Sequence, residues 1–287
     1  MTCGDVAALS CPSCLGPLGF EGTLAGEHLD RGTLRCGRCA GEWPVEDGIP
    51  DLVDEAEVRG LDRLMRFFYD LGAPLHDPAV RYLLPLLQGS SEEALREAYM
   101  PRLELGGLAC RDGGLPARIL EVGVGGGGNL PWLERELAAD VSAEFWGLDL
   151  SRNMLEQCRS RLARHRGRPM RLLLANAHAL PFADGSVDRV FSVGGIAGFH
   201  DPRRALAEMA RVARPGTPIV VVDEQLDPDR AHSLYHRLMF RALTLYDPAP
   251  RCPRAHLPPD AVDVAEEQAS RFYYCLTFRM PSGRGMP

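Results

Sequence analysis

The chain has 287 residues, 45% of them apolar and 25% charged, the composition of a soluble globular protein with room for an α/β core and a small extra module. Its net charge of −7 sits at the front: residues 1–55 hold three arginines and ten acids, a poor polyanion clamp, while the other 232 residues hold 29 of each sign. All 32 basic residues are arginine, which excludes a Schiff-base lysine and a phosphate loop ending in G-K-[ST].

The first residues, MTCGDVAALSCPSC, lack the basic start and apolar stretch of a signal peptide, and no apolar run nears the ~20 residues of a spanning helix. A cytoplasmic location is expected. Two C-x-x-C knuckles follow, Cys11–Cys14 and Cys36–Cys39, separated by twenty-one residues. That spacing points to a tetrahedral four-cysteine site for Zn2+, because each knuckle aims two thiolates at one ion. Disulfides in a secreted domain are the competing reading, and the absent leader opposes it. The short β-rich pieces around the knuckles hold too few apolar residues for a core without the metal.

Residues 9–53, with both knuckles and the trailing WPVEDGIPDLV, resemble the small zinc-ribbon activator of tRNA, rRNA and release-factor methyltransferases. That resemblance implies a ribbon that binds no substrate itself and covers an apolar face of its catalytic partner. Here it implies docking within one chain, or recruitment of a protein partner. A merely stabilising module is the plainer alternative.

Residues 57–115 read as a helical joining segment or lid. LDRLMRFFYDLGA sets Leu61, Leu64, Met65, Phe68 and Leu71 on one expected face, with Tyr69 placed to lid a cofactor cleft. DPAVRYLLPLL continues the helical pattern, and Ser90 or Ser91 caps the next helix. From residue 117 strands and helices alternate, which predicts a parallel sheet covered on both faces. Strands are expected at ARILEVG, EFWGLDL, MRLLLAN, VDRVFSVG and TPIVVVDE, with a closing pair at AVDVAEE and RFYYCLTFRM. Helices are expected with caps at Asn129, Ser151 and Asp201. The domain reading is 1–56 ribbon, 57–115 joining helices and 116–287 α/β domain.

The stretch ILEVGVGGGGNL, residues 119–130, ends a strand in an acid and then a glycine run. Gly123, Gly125 and Gly128 satisfy the dinucleotide pattern G-x-G-x-x-G. Glu121, two residues before the first glycine, argues against a pyrophosphate, since like charges at ~5 Å repel by about a kcal/mol. A carboxylate there suits S-adenosylmethionine (SAM), which carries a sulfonium and an ammonium and no phosphate. Asp149, ending the second strand, suits ribose hydroxyls, as acids do in NAD readers as well.

NAHALPFADGSVDRVFSV, residues 176–193, looks like the adenine-side loop of class I SAM-dependent methyltransferases. ILEVGVGGGG, GLDLSRNML and RVARPG resemble further motifs of that family in the same order, nearest the quinone-biosynthesis C-methyltransferases. The resemblance implies a Rossmann-like, seven-stranded sheet with its last strand antiparallel. It implies that Glu121, Gly123, Gly125 and Gly127 line the methionine and ribose side, and that Asp149 takes the ribose. Leu150 would pack on adenine, Asn176 and Ala177 would meet its amino edge, and Ser192 would lie near the methyl group. Asn176 stands where the family usually has Asp, and its amide oxygen is expected to hold the exocyclic amine.

No N-P-P-Y motif follows the fourth strand, which separates the chain from adenine-N6 and glutamine-amide methylating enzymes. His200 is a candidate base, though no catalytic residue is assigned. A small-molecule methyl acceptor is the first reading. An rRNA or tRNA base methyltransferase and a non-catalytic SAM-binding scaffold that recruits a protein are the alternatives.

Overall fold

The computed structural model describes residues 1–78, 91–165, 167–247 and 249–283. The front opens with α1 (Cys3–Val6), capped by Thr2, whose hydroxyl accepts from the Asp5 amide while the Asp5 carboxylate returns a bond to the Thr2 amide. Four antiparallel strands follow in spatial order β1 (Leu18–Ala25), β2 (His28–Cys36), β3 (Glu42–Glu46) and β4 (Ile49–Pro50). β3 alternates as a half-buried strand should, with Trp43 and Val45 inward and Glu42, Pro44 and Glu46 outward. Gly22 faces Gly32 across β1 and β2, and a Cβ on Gly22 would stand 2.2 Å from the Arg31 carbonyl oxygen. Only glycine permits that approach.

The second sheet has seven strands: β5 (Ala117–Val122), β6 (Ala143–Asp149), β7 (Met170–Leu174), β8 (Arg189–Val193), β9 (Ile219–Glu224), β10 (Val262–Gln268) and β11 (Tyr273–Arg279). Their order is β10-β11-β9-β8-β5-β6-β7, and β11 runs antiparallel to both of its neighbours. β5 pairs parallel with both β6 and β8, so the chain winds outward in both directions from β5. The point where winding reverses opens a crevice at the carboxyl ends of the strands. The near-continuous burial of β5, β6 and β9 follows from helices covering both faces.

The helices are α2 (Gly60–Pro78), α3 (Glu92–Tyr99), α4 (Leu130–Glu136), α5 (Arg152–Leu162), α6 (Pro202–Val212) and α7 (Leu234–Leu243). Ser91, Ser151 and Asp201 cap α3, α5 and α6 as their sequences predict, each side chain accepting an amide three residues on. Asn129 precedes α4 without capping it through its side chain. That amide turns inward to a buried acid, and α4 is correspondingly short.

A second departure concerns α2. The expected apolar face is largely exposed, with Leu64 at 46%, Phe68 at 55% and Leu71 at 72%. The helix instead turns Asp62 toward the loops that carry His178 and His200, and Asp70 toward the start of α5. Asp62 Oδ1 accepts from the His200 amide at 2.8 Å and Oδ2 lies 3.2 Å from His178 Nδ1. Asp70 Oδ1 accepts from Ser151 Oγ at 2.5 Å, and its carbonyl accepts from Asn153 Nδ2 at 2.8 Å. Directional bonds to two acids thus set the rotation of the helix, overriding its stripe. Most of the DPAVRYLLPLL segment lies outside the described residues.

The front sheet packs on the β7 edge of the large one. Leu52 donates its amide to the Leu174 carbonyl at 2.8 Å, and Ser10 donates to the Pro181 carbonyl at 2.9 Å. Asp51 bridges Leu174, and Leu9 bridges Phe182. Arg171 binds Asp5 at 2.6 Å, and Arg159 binds the Asp47 carbonyl at 3.1 Å. One buried apolar cluster runs through Leu9, Leu34, Trp43 and Leu52 into Leu173, Phe182 and Trp146. The module therefore completes the core of the larger sheet and occupies its otherwise open edge.

Phe182 stands at the centre of that join, fully buried, its ring edge-on to Trp146 at 5.4 Å. Phe182→Ala is expected to lower stability by about 3–5 kcal/mol in denaturant titration. Trp43 and Trp146 are expected to report one shared unfolding transition.

Candidate functional site

A cavity of about 1150 Å³ opens at the carboxyl ends of the central strands. Tyr69, Glu121, Gly123, Gly125, Asp149, Leu150, Asn176 and Ala177 all line it. The glycine run crosses from β5 toward α4, and Gly123 takes φ +75°, a conformation that glycine adopts without strain. The Gly125 amide donates to Asp149 Oδ2 at 2.9 Å and the Ser151 amide to Oδ1 at 2.9 Å, fixing that carboxylate at the end of β6.

Glu121 is the most constrained group in the site. It is 2% exposed, and its Oε1 accepts from Asn129 Nδ2 at 2.6 Å. Asn129 Oδ1 in turn accepts from Arg96 Nε at 2.8 Å and from the Tyr99 hydroxyl at 2.8 Å. Oε2 of Glu121 is buried with no hydrogen-bond partner among the described residues. Burial pushes the carboxyl up to about 8, against the pull of the Asn129 bond and the Arg96 charge, with Asp149 adding to the rise. A half-satisfied buried acid in a cavity wall accepts a cation and disfavours an anion.

Two residues expected in the site lie elsewhere. Gly127 points away from the cavity, and a Cβ on it would stand 2.5 Å from Cys158 Sγ. That glycine allows the loop to close on α5. Ser192 is fully buried with its Oγ beneath Gly195, because strand alternation turns it off the cavity wall. His200 is also absent from the lining, and its ring rests on Gly60, whose Cβ would lie 2.5 Å from Nδ1. Asn176 differs in polarity from its expected use. Its Oδ1 already accepts from the His178 amide at 3.0 Å, while the buried Nδ2 has no partner among the described residues.

The sequence reading passed over two groups. Arg96 and Tyr99 on α3 hold Asn129, a contact thirty residues and more away in sequence that no local pattern announces. Also lining the cavity, Glu224 ends β9, with Tyr246 and Tyr273 beside it. Tyr246 donates to Glu224 Oε2 at 2.8 Å and Tyr273 to Oε1 at 3.4 Å. IVVVDE carried a signal for these: an acid pair at the carboxyl end of a buried parallel strand falls where ligands bind. Met65, Phe199 and Leu243 also line the cavity, and Phe199 lies 3.9 Å from where a Cβ on Gly123 would stand.

The four knuckle cysteines form a separate cluster. Their sulfurs all lie within 4.8 Å of one another, with Cys11 to Cys39 at 3.7 Å and Cys14 to Cys36 at 3.4 Å. A tetrahedral ion with bonds of ~2.3 Å sets its sulfurs roughly 3.8 Å apart, so the donor set fits such an ion. The Cys39 and Arg38 amides donate to Cys36 Sγ and hold that thiol near 6, the state a metal ligand needs.

A methyltransferase domain family model matches residues 120–221. Demethylmenaquinone methyltransferase of Thermus thermophilus is 39% identical over 126 residues, 44% of this chain and 56% of that protein. The match thus spans about half of that relative's length. Phosphoethanolamine N-methyltransferase 2 of Haemonchus contortus, solved with SAM, superposes with a TM-score of 0.53 at 14% identity, over 84% of this chain and 62% of that one. A chain from the complex of the Haloferax volcanii Trm112 methyltransferase activator with a methyltransferase gives 0.52 at 15% identity, over 77% and 99%. These superpositions concern the fold alone. The match to the methyltransferase domain model spans the glycine loop and strands β5 to β8, behind a four-cysteine module.

Proposed function

We propose that the protein is a SAM-dependent methyltransferase acting on a small molecule, with Zn2+ held in its front module. The observation that carries the cofactor reading is Glu121, which lines the cavity and whose Oε2 is buried and unpaired among the described residues. Bound there, SAM would supply an electrophilic methyl on sulfonium. Glu121 would hold the cationic methionine end and Asp149 the ribose. The Asn176 amide would meet the adenine edge with an N–H donor, since its oxygen is engaged. Methyl transfer needs an in-line approach, and placement supplies most of the rate.

A small acceptor agrees with the cavity at the strand ends and with the acid-rich front. The four cysteines would hold Zn2+ structurally, with no open position for catalysis. Leu9 and Ser10, just before the first knuckle, grip Phe182 and Pro181 on the adenine-side loop. The ion would therefore steady the cofactor site from outside.

The direct test is labelled-methyl transfer from SAM to fractionated cell extract, scored in lipids, soluble metabolites, RNA and protein. Label confined to RNA overturns the small-molecule reading. Calorimetry in which the protein ignores S-adenosylhomocysteine and binds NADH overturns the cofactor reading.

Glu121 gives a signed pH dependence. Below pH 8 the unliganded carboxyl holds its proton, and a cation favours its loss. SAM affinity is expected to rise as pH climbs toward 8 and to flatten above it, by at most about tenfold per unit, with proton release seen in calorimetry across buffers. Glu121→Gln is expected to weaken SAM by about ten- to a hundredfold and to abolish that slope. Stripping the metal with a strong chelator under reducing conditions is expected to lower the melting temperature and weaken S-adenosylhomocysteine binding together. Unchanged values of both would count against the zinc reading.

A further inference from the structure

Among the acids that line the cavity and that the cofactor reading leaves unused is Glu224. Glu224 ends β9, which only β8 separates from the β5 strand of Glu121, and Tyr273 is its direct partner in the strand register. It is 9% exposed and lines the cavity. Two tyrosine hydroxyls donate to it, one to each oxygen. Its neighbour Asp223 is tied to the Glu224 and Ala197 amides, at 2.7 and 3.1 Å. Burial and the adjacent Glu224 push the Asp223 carboxyl well up. Burial, with Glu224 as the leading charge, likewise pushes up the hydroxyls of Tyr69 and Tyr246, keeping them protonated.

Among the described residues, no arginine or histidine forms an ion pair with either acid. A fixed carboxylate in an apolar wall is costly against a purely apolar occupant and favourable against a cation. Aromatic side chains around it add to that preference. Resting on the methyltransferase reading, we infer that the methyl acceptor carries a basic amine, which Glu224 recognises and deprotonates while Tyr246 and Tyr273 hold its carboxylate in place.

The step balances without a further reactant. The bound ammonium gives one proton to the Glu224 carboxylate. The freed nitrogen lone pair forms the N–C bond as the S–CH3 bond breaks, and the bonding pair stays on sulfur. The products are a methylated ammonium, S-adenosylhomocysteine and protonated Glu224, which returns its proton to solvent after release.

The test uses the full chain loaded with S-adenosylhomocysteine and three probes of one shape: 2-phenylethylamine, 2-phenylethanol and 3-phenylpropionate. Calorimetry is expected to show the amine binding at least tenfold tighter than the alcohol, and the acid weakest. Glu224→Gln is expected to erase the amine preference while leaving S-adenosylhomocysteine affinity unchanged, which also certifies the fold. Glu224→Asp is expected to restore part of the preference, and Tyr246→Phe to reduce it. Equal binding of amine and alcohol, including none of either, overturns the inference. So does a Glu224→Gln protein that loses SAM but keeps S-adenosylhomocysteine, since Glu224 would then be the counter-ion of the sulfonium. Failure of the wild-type chain to bind S-adenosylhomocysteine would instead defeat the methyltransferase reading.

Discussion

Glu121 sits one residue before the end of a largely buried strand, and a carboxylate in that position has to be held. The Asn129 amide does so by bridging it to Arg96 and Tyr99, which brings α3, the glycine loop and the start of α4 to one point. The bridge takes the side chain that would otherwise cap α4. Local helix stability is exchanged for a fixed acid at the crevice, a conflict of the kind expected at a functional site. The second oxygen is left buried without a partner among the described residues, in a side chain that lines the cavity, and much of what the pocket can bind follows from that one omission.

The four-cysteine module and the large sheet are continuous in their packing. β7 is an edge strand, and an open edge invites association with other chains. Here Asp51 and Leu52 lie along it, and the apolar cluster passes beneath. The module is too small to supply an extensive core of its own, so its folding leans on the four sulfurs and on this contact. Because Leu9 and Ser10 touch the loop that follows Asn176, order in the module reaches the crevice through a few backbone bonds.

Much of this was legible in the sequence, and the residues show why. Strand positions followed from apolar runs bounded by turns, and β5 through β9 fall where ARILEVG, EFWGLDL, MRLLLAN, VDRVFSV and TPIVVVDE set them. Cysteine spacing gave the cluster, because two knuckles constrain geometry locally. Side-chain direction was harder. Gly127 and Ser192 sit among lining residues in sequence yet face Cys158 and Gly195, since one step along a strand or tight loop reverses a side chain. The face of α2 was misread because Asp62 and Asp70 find partners on distant elements, and a periodicity argument weighs only the apolar residues. Glu224 went unremarked because its meaning depends on Tyr246 and Tyr273, which only the closed sheet brings to it.

Carrying the cysteine module and the crevice on one polypeptide changes what their contact must achieve. Two tethered surfaces meet at an effective concentration in the millimolar range, whatever the abundance of the protein. Their docking can therefore rest on a few backbone bonds and a shared apolar seam, where free subunits would need an affinity matched to their dilution. The stretch of chain between β4 and α2 thus serves as more than a spacer: a single cut there would convert a permanent neighbour into one that drifts away.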